Sequence, residues 1–514
     1  MIKTTPREYQ NKIFQTAREK NTLVVLPTGI GKTLIALLLT IDRLKLYPGS
    51  KTLFLAPTKP LVEQHFQSYT KELPELFADL QIFTGSVPAE KRKEIFQTAD
   101  IIFSTPQCIA NDLNNHLYSL EEVSLIIIDE AHRCLKNYSY TAVASAYKKQ
   151  AKNQRILALT ASPGYDLSIV KEICSHLNID EVESRTRDSE DVKPYLQTLE
   201  FEKIEVDFPK EFEEIRVLLK RFYDQRIDQL KSRSLLFGPA NKITLLKLQK
   251  RLSAQASSGN FNYMIGLSLS AQAIKISHAI ELLETQTLNG LNSYLQGIIK
   301  QSKENKSRAA QIIAKSPEFN ASLISLNQLL SKNIEHPKIN ALKELVKNQF
   351  EQKENSKMIV FTQFRETARI ISSELNKINH VISTVFLGQA KKTHASGVSG
   401  LNQKEQRAMI DQFRSGKTNV LCATSIGEEG LDIPEVSAVV FYEPIPSAIR
   451  KIQRTGRTAR LAPGKLFILM TKDTRDIAFH YASSARERKM HKTIEILKNE
   501  FKERNKNKIL SEFK

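Results

Sequence analysis

The chain has 514 residues, 41% of them hydrophobic, with 75 Lys and Arg against 56 Asp and Glu, a net charge of +19 and a pI near 9.5. That length and composition suit about three globular domains, and the positive surplus points to a polyanionic partner, nucleic acid before a membrane surface. Four cysteines without a Cys-x-x-Cys pair (Cys108, Cys134, Cys174, Cys422) exclude a disulfide scaffold and a zinc ribbon; with no apolar signal core in MIKTTPREYQ and an apolar run at Leu34 to Ile41 far too short to span a bilayer, a reducing, cytoplasmic setting is expected.

Near the N-terminus, PREYQ (6–10) offers Gln10, whose amide presents one donor and one acceptor edge suited to adenine. The stretch LVVLPTGIGKTLIALLL (23–39) reads as a short buried strand, a turn and a buried helix. Between strand and helix, Leu26, Pro27, Thr28, Gly29, Ile30, Gly31, Lys32 and Thr33 have the make-up of a phosphate-binding loop. The glycines let backbone N–H groups turn inward at a helix N-terminus, Lys32 reaches β- and γ-phosphates, and the Thr33 hydroxyl serves Mg²⁺. The usual pattern opens with Gly where Leu26 stands, but the phosphate-facing Gly-x-Gly-Lys-Thr half is intact.

Further strands are predicted at TLFLAP (52–57), ADIIFSTP (99–106), VSLIIIDE (123–130) and RILALTAS (155–162), with amphipathic stretches between them. That alternation predicts a parallel sheet covered by helices, whose ligands lie beyond the C-terminal strand ends. In LIIIDEAH four apolar residues run straight into Asp129 and Glu130, a costly place for charge unless a metal or substrate uses it. Asp129 is expected to hold Mg²⁺ through water, Glu130 to polarise the attacking water, and His132 to bridge the nucleotide site to another domain. The TAS of 160–162 is also compatible with a helix cap.

The middle of the chain, from about 194 to 337, is poor in strand signals apart from FEKIEVDF (201–208), and reads as a helical insertion domain. Between Lys231 and Lys315 it carries twelve Lys and Arg and three acidic residues, about half of the whole positive surplus. Lys247, Lys250 and Arg251 are the candidates there for phosphate-backbone contact; solvated helix faces are the alternative. A second alternating set follows: KMIVFTQ (357–363), HVISTVFLG (380–388), NVLCATS (419–425), SAVVFYEP (437–444) and KLFILMTK (465–472). Within it, Thr424 and Ser425 are placed to meet a phosphate backbone and Asp432 a ribose hydroxyl. QRTGRTAR puts Arg454, Arg457 and Arg460 along one helix face, either as a solvated surface or as arginine fingers crossing a domain cleft. The expected division is thus 1–193, 194–337 and 338–480, with a basic tail over 481–514 whose first part is a surface helix and whose last dozen residues fray.

The ordered set from the phosphate loop through DEAH and TAS to QRTGRTAR resembles superfamily 2 DExH-box helicases. Within them the chain is similar to the helicase part of the Hef and Fanconi-anaemia M group, through LPTGIGKT, APTKPLVEQH, IIDEAHR, LTASPG, VFTQFRETA, GLNQKEQ and SIGEEGLDIPEV. The resemblance implies an α/β fold of two RecA-like parallel-sheet domains with an all-helical insertion between them, ATP and Mg²⁺ between the lobes, and nucleic acid across both. It places Arg7, Gln10 and the phosphate loop on the nucleotide with Gly430 and Asp432, and Gln453, Arg457 and Arg460 on the γ-phosphate side. It also places Thr58, Lys59, Gly85, Thr105 and Pro106 of the first lobe, and Thr362, Gln363, Arg365, Thr424 and Ser425 of the second, on one strand's backbone. Ala459 stands where relatives have Gly. The relatives' nuclease signature is missing from RERKMHKT, so no nuclease in cis is expected, and a separate nuclease or repair partner is left open. The expected activity is ATP-dependent translocation by a monomer on DNA, forked or branched, with no membrane role. The alternatives are a translocase stimulated by double-stranded RNA and a nucleic-acid-binding scaffold with a vestigial ATP site.

Overall fold

The structure, a computed structural model, describes residues 2–136, 138–256, 260–353, 355–388, 392–394, 397–399, 401–424, 433–445, 447, 458 and 463–512. The first lobe alternates helix and strand: α1 (Glu8–Glu19), β1 (Thr22–Val25), α2 (Lys32–Leu46), β2 (Lys51–Leu55), α3 (Lys59–Glu72), β3 (Leu80–Phe83), α4 (Ala89–Thr98), β4 (Ile101–Ser104), α5 (Pro106–Asn114), β5 (Val123–Ile128), α6 (Ser139–Gln150), β6 (Ile156–Thr160), α7 (Leu167–His176) and β7 (Glu181–Ser184). The strands form a parallel sheet in the order β3-β4-β2-β5-β6-β1-β7. Successive side chains feed opposite layers. Leu53, Leu55, Ile126 and Ile128 pack with Tyr140 and Val143 of α6, while Phe54, Leu125 and Ile127 pack with Ile35 and Leu39 of α2. Both faces being covered, the strands tolerate unbroken apolar runs, which is why they are legible as blocks rather than alternations.

The strand β8 (Leu199–Val206) does not belong to the helical insertion; it is the edge strand of the second sheet, paired in parallel with 464–471 from Leu199↔Gly464 to Val206↔Thr471. Its charged, mostly exposed LEFEKIEV suits an edge position with one neighbour and one half-covered face, and weakens its sequence signal.

The insertion is a bundle of α8 (Lys210–Ser232), α9 (Lys242–Ala256), α10 (Phe261–Thr285), α11 (Leu288–Lys303), α12 (Arg308–Ala314) and α13 (Pro317–Ser331). Phe212, Ile215, Leu219 and Phe222 recur at three- and four-residue spacing on α8 and meet Ile276, Ile280 and Leu283 of α10. A smaller core holds Leu245, Leu248 and Leu252 of α9 against Leu230, Leu269 and Ala273.

The second lobe contains α14 (Pro337–Gln352), β9 (Met358–Phe361), α15 (Arg365–Leu375), β10 (Ser383–Phe386), the short pair β11 (Lys392–His394) and β12 (Gly397–Ser399), α16 (Gln403–Arg414), β13 (Val420–Ala423), β14 (Ala438–Phe441), β15 (Gly464–Thr471) and α17 (Arg475–Glu512). Its parallel sheet runs β10-β13-β9-β14-β15-β8. The α17 helix runs to Glu512, and over 486–501 one face of it is buried while the rest stays exposed or half-buried. It starts against the insertion and second lobe, where Arg475 donates to the Ser277 carbonyl at 2.7 Å and Asp476 pairs with Lys338, both buried. It then crosses to the first lobe, where Met490, Ile494 and Leu497 join the core of α6 and α7. The four cysteines are free and buried. Among the described residues no helix is long and apolar enough to cross a membrane.

Candidate active site and nucleic-acid interface

Strand order in the first sheet separates two sets of strand ends. β5, β6 and β1 are neighbours, and their C-terminal ends carry DEAH, TAS and the phosphate loop; β3, β4 and β2 are neighbours, and theirs carry Gly85, Thr105 and Thr58. Residues scattered over the sequence therefore gather into two adjoining surfaces on one rim of the sheet.

In the first surface, Gly29 (φ 85°) and Gly31 (φ 83°) take the left-handed conformation that lets the loop curl ahead of Lys32, the first residue of α2. Any Cβ on Gly31 would collide with the Gln10 amide. Gln10 accepts from the Arg7 N–H at 2.8 Å and donates to the Gly31 carbonyl at 3.3 Å, and the Tyr9 hydroxyl donates to the Ile30 carbonyl at 2.5 Å. Arg7 also lies over the Tyr195 ring, 5.0 Å from its centroid. A cavity of about 360 Å³ opens here, lined by Arg7, Gln10, Gly29, Gly31, Thr33 and Leu37 among others. Lys32 Nζ donates to the Leu26 carbonyl at 3.0 Å, and Leu26 itself is buried, as are Ile30 and the flanking Val25. Pro27 and Thr28 line a second cavity of about 380 Å³, shared with Met490.

The acidic pair sits just past β5. Asp129 is buried, its N–H donating to the Leu55 carbonyl at 2.9 Å and its own carbonyl accepting from the Tyr140 hydroxyl at 2.7 Å. Its carboxylate lies 2.9 Å from His65 Nε2, and His65 Nδ1 lies 3.4 Å from the Thr33 hydroxyl. Burial pushes the Asp129 carboxyl up, but the hydrogen bond from His65 and the charge of Lys32 hold it below the usual carboxylate range. Glu130 adopts φ 51°, strained for a residue with a Cβ, and its Oε2 is buried without a hydrogen bond, 3.2 Å from His132 Nδ1. His132 Nδ1 also lies 3.2 Å from the Thr160 hydroxyl, which accepts from the Ser162 N–H at 3.1 Å. His132 is thereby linked through the Thr160 hydroxyl to the backbone of Ser162.

On the second surface, Thr58 and Thr105 are the N-caps of α3 and α5, each followed by a proline in the first turn and neither capping with its side chain. The Thr58 hydroxyl is buried with no hydrogen-bond partner, Gly85 is exposed, and Lys59 Nζ lies 3.4 Å from the Ser86 hydroxyl. Pro106 is buried inside the first turn of α5. Two helix N-termini and an open glycine make a surface able to take oxyanions.

In the second lobe two of the expected strand contacts, Thr362 and Thr424, are buried. Thr362 is fully buried, and its hydroxyl, with that of Thr367, donates to Gln286 Oε1 (3.4 and 2.9 Å) at the end of α10. It anchors the insertion to the second lobe rather than facing a strand. Thr424 is buried as well, while the Gln363 N–H donates to Glu443 and Arg365 begins α15. Ser425, Gly430, Asp432, Gln453, Arg454, Arg457 and Arg460 lie outside the described residues. In the insertion, Lys247 and Lys250 are exposed on α9, but Arg251 donates to the Leu235 carbonyl at 2.7 Å and belongs partly to the bundle. Sequence reasoning overlooked Tyr9, Tyr140, His65 and Met490; of these Tyr9 lies within PREYQ and His65 ends APTKPLVEQH, while the other two had no signal.

A phosphate loop, an acidic strand end and a second parallel-sheet lobe define a two-lobed motor ATPase of the superfamily 2 kind. The DEAD/DEAH box helicase model matches residues 7–168, the helicase conserved C-terminal domain 337–462, and a helical-bundle model described as "Putative ATP-dependent RNA helicase, helical bundle" 211–335. The crystal structure of the Hef helicase domain of Pyrococcus furiosus is 42% identical, covers 93% of this chain and 98% of its own, and superposes with a TM-score of 0.71. The chain belongs to the DEAD/DEAH-box helicases, in the group of the Hef helicase domain. It is 36% identical to "Putative ATP-dependent RNA helicase MJ1505" of Methanocaldococcus jannaschii, over 95% of this chain and 60% of that protein. It is 32% identical to the ATP-dependent DNA helicase fml1 of Schizosaccharomyces pombe (94% and 59%), and 31% identical to the mouse Fanconi anemia group M protein homolog (93% and 25%). The chain therefore spans less than two thirds of the length of these curated relatives.

Proposed function

We propose that this chain hydrolyses ATP to drive movement along DNA, with forked or branched DNA as the preferred substrate. The observation that carries the reading is the placement of the phosphate loop and Asp129–Glu130 on adjacent strand ends, beside a rim able to take backbone phosphates. Lys32 and the loop N–H groups hold the triphosphate, with Arg7 and Gln10 at the base. Glu130, half-buried with its Oε2 beside His132, orients and deprotonates the attacking water. One hydroxyl and one carboxylate, Thr33 and Asp129, are oxygen donors of the kind Mg²⁺ prefers. They are too few to cage it alone, as befits an ion shared with phosphates and water. That ion neutralises phosphate charge when bound. The resemblance gives the arginines of QRTGRTAR, outside the described residues, the role of meeting the γ-phosphate.

Contacts to backbone phosphates carry no sequence information, so binding depends on strand geometry and salt rather than on base order. The DNA assignment draws on the names of the fungal and Fanconi-anaemia relatives. The M. jannaschii name and the helical-bundle description favour RNA as the second reading. ATPase rates with single-stranded, duplex, forked and four-way DNA and with duplex RNA, each over a salt series, separate the two. Greatest stimulation by forked or four-way DNA is expected; greater stimulation by duplex RNA overturns the DNA reading. A monomer is the arrangement this reading favours.

A further inference from the structure

His65 is a buried imidazole that none of the roles above uses. It sits on α3, 7% exposed, its ring 4.3 Å from that of Phe54 on β2. Three strand ends fix the cluster: β2 supplies Phe54, α2 after β1 supplies Thr33, and β5 supplies Asp129. The Nε2–H tautomer satisfies both contacts of the ring. Nε2–H donates to Asp129 Oδ2 at 2.9 Å, and Nδ1 accepts the Thr33 hydroxyl proton at 3.4 Å.

A hydroxyl can ligate a cation only with a lone pair, so its proton must point elsewhere. A carboxylate serves a cation best when its rotation is fixed. His65 contacts both groups that would hold the ion, and would serve both ends at once. We propose that His65 is the positioning residue of the metal shell, taking the Thr33 proton on one ring nitrogen and locking the Asp129 carboxylate with the other. This rests on the ATP reading above. Filling space beneath α3 would require neither nitrogen to be aimed at these oxygens.

The test uses the full chain and a fluorescent ADP analogue, whose affinity is measured in EDTA and over a Mg²⁺ titration, alongside thermal melting in EDTA. For His65→Ala the Mg²⁺ concentration giving half of the affinity gain should rise roughly 10- to 100-fold, with affinity in EDTA unchanged. His65→Gln, whose amide N–H can still donate to Asp129, should recover part of the shift. An unshifted Mg²⁺ midpoint in His65→Ala, or equal loss of affinity with and without Mg²⁺, overturns the proposal. If His65→Ala does not fold, His65→Gln decides alone: a raised midpoint at unchanged EDTA affinity supports it, and a wild-type midpoint overturns it. Absence of nucleotide binding by the wild type would instead remove the ATP reading itself, and the role of His65 with it.

Discussion

The Ser162 hydroxyl donates to the sulfur of Met490 at 2.8 Å, joining the TAS strand end of the first lobe to a helix that springs from the second. Around this contact Thr493 donates to the Tyr165 carbonyl at 3.1 Å, and Lys171 pairs with Glu500 at 2.8 Å. A line of contacts therefore runs from Glu130 through His132, Thr160 and Ser162 into α17. Glu130 is thereby joined, by packed neighbours, to an element rooted in the other lobe.

Because Leu497 is 2% exposed inside the first-lobe core, Leu497→Ala should cost about 2–5 kcal/mol through lost contact and a residual cavity. Ser162→Ala, which removes one hydrogen bond, should cost about 1 kcal/mol. Urea denaturation reads both. A wild-type midpoint for Leu497→Ala would show that α17 does not pack on this lobe in solution.

The junction between insertion and second lobe should respond to acid. His336 caps α14, accepting from the Lys338 N–H at 3.3 Å, and its Nε2–H donates to the Glu284 carbonyl at 3.3 Å. Burial, with the nearby Lys338 charge, pushes its imidazole from 6.5 down to about 3. Between these values the unfolded chain binds a proton that the folded chain refuses. The stability that depends on a neutral His336 is thus complete above pH 6.5 and is lost as pH falls towards 3, at about 1.4 kcal/mol per pH unit. His336→Asn keeps a capping side chain and should flatten the stability profile in that window. An unaltered slope would show that other groups set the acid response.

Charge reversal on the insertion should weaken nucleic-acid binding without touching the ATP site. Lys247→Glu with Lys250→Glu should lower affinity for forked DNA and reduce the log–log salt slope by about 2, one phosphate for each lysine, while ATPase without DNA stays as in the wild type. Arg251 is a poorer probe, since its bond to Leu235 would be lost too. Equal fork affinity at matched salt would place the DNA elsewhere.

Much of this was legible in the residues because the chemistry is local. The phosphate loop needs glycines of positive φ followed at once by a helix, and a parallel strand buried on both faces shows as an apolar block ending in a functional group, as Leu125 to Asp129 does. What stayed hidden depends on long-range contact. The β8 strand is charged because it is an edge, and only its pairing with β15 reveals its lobe. Met490, Ile494 and Leu497 lie at helical spacing amid lysines and glutamates, and read as a surface stripe until the first lobe is placed against them. Thr362 looked like a strand contact because its neighbours do. Only the fold shows its hydroxyl turned towards Gln286, 76 residues away.

The measurement that tests the account most directly is ATP binding and ATP turnover on the same samples, with and without forked DNA, for the wild type and Glu130→Gln. The amide fills the same space in the strained turn but cannot take a proton from water. The account predicts DNA-stimulated hydrolysis by the wild type. It predicts ATP affinity in Glu130→Gln close to the wild type's, with turnover lowered about 10²–10⁴-fold. A wild type that binds no ATP, or a Glu130→Gln variant that turns over at the wild-type rate, would contradict it.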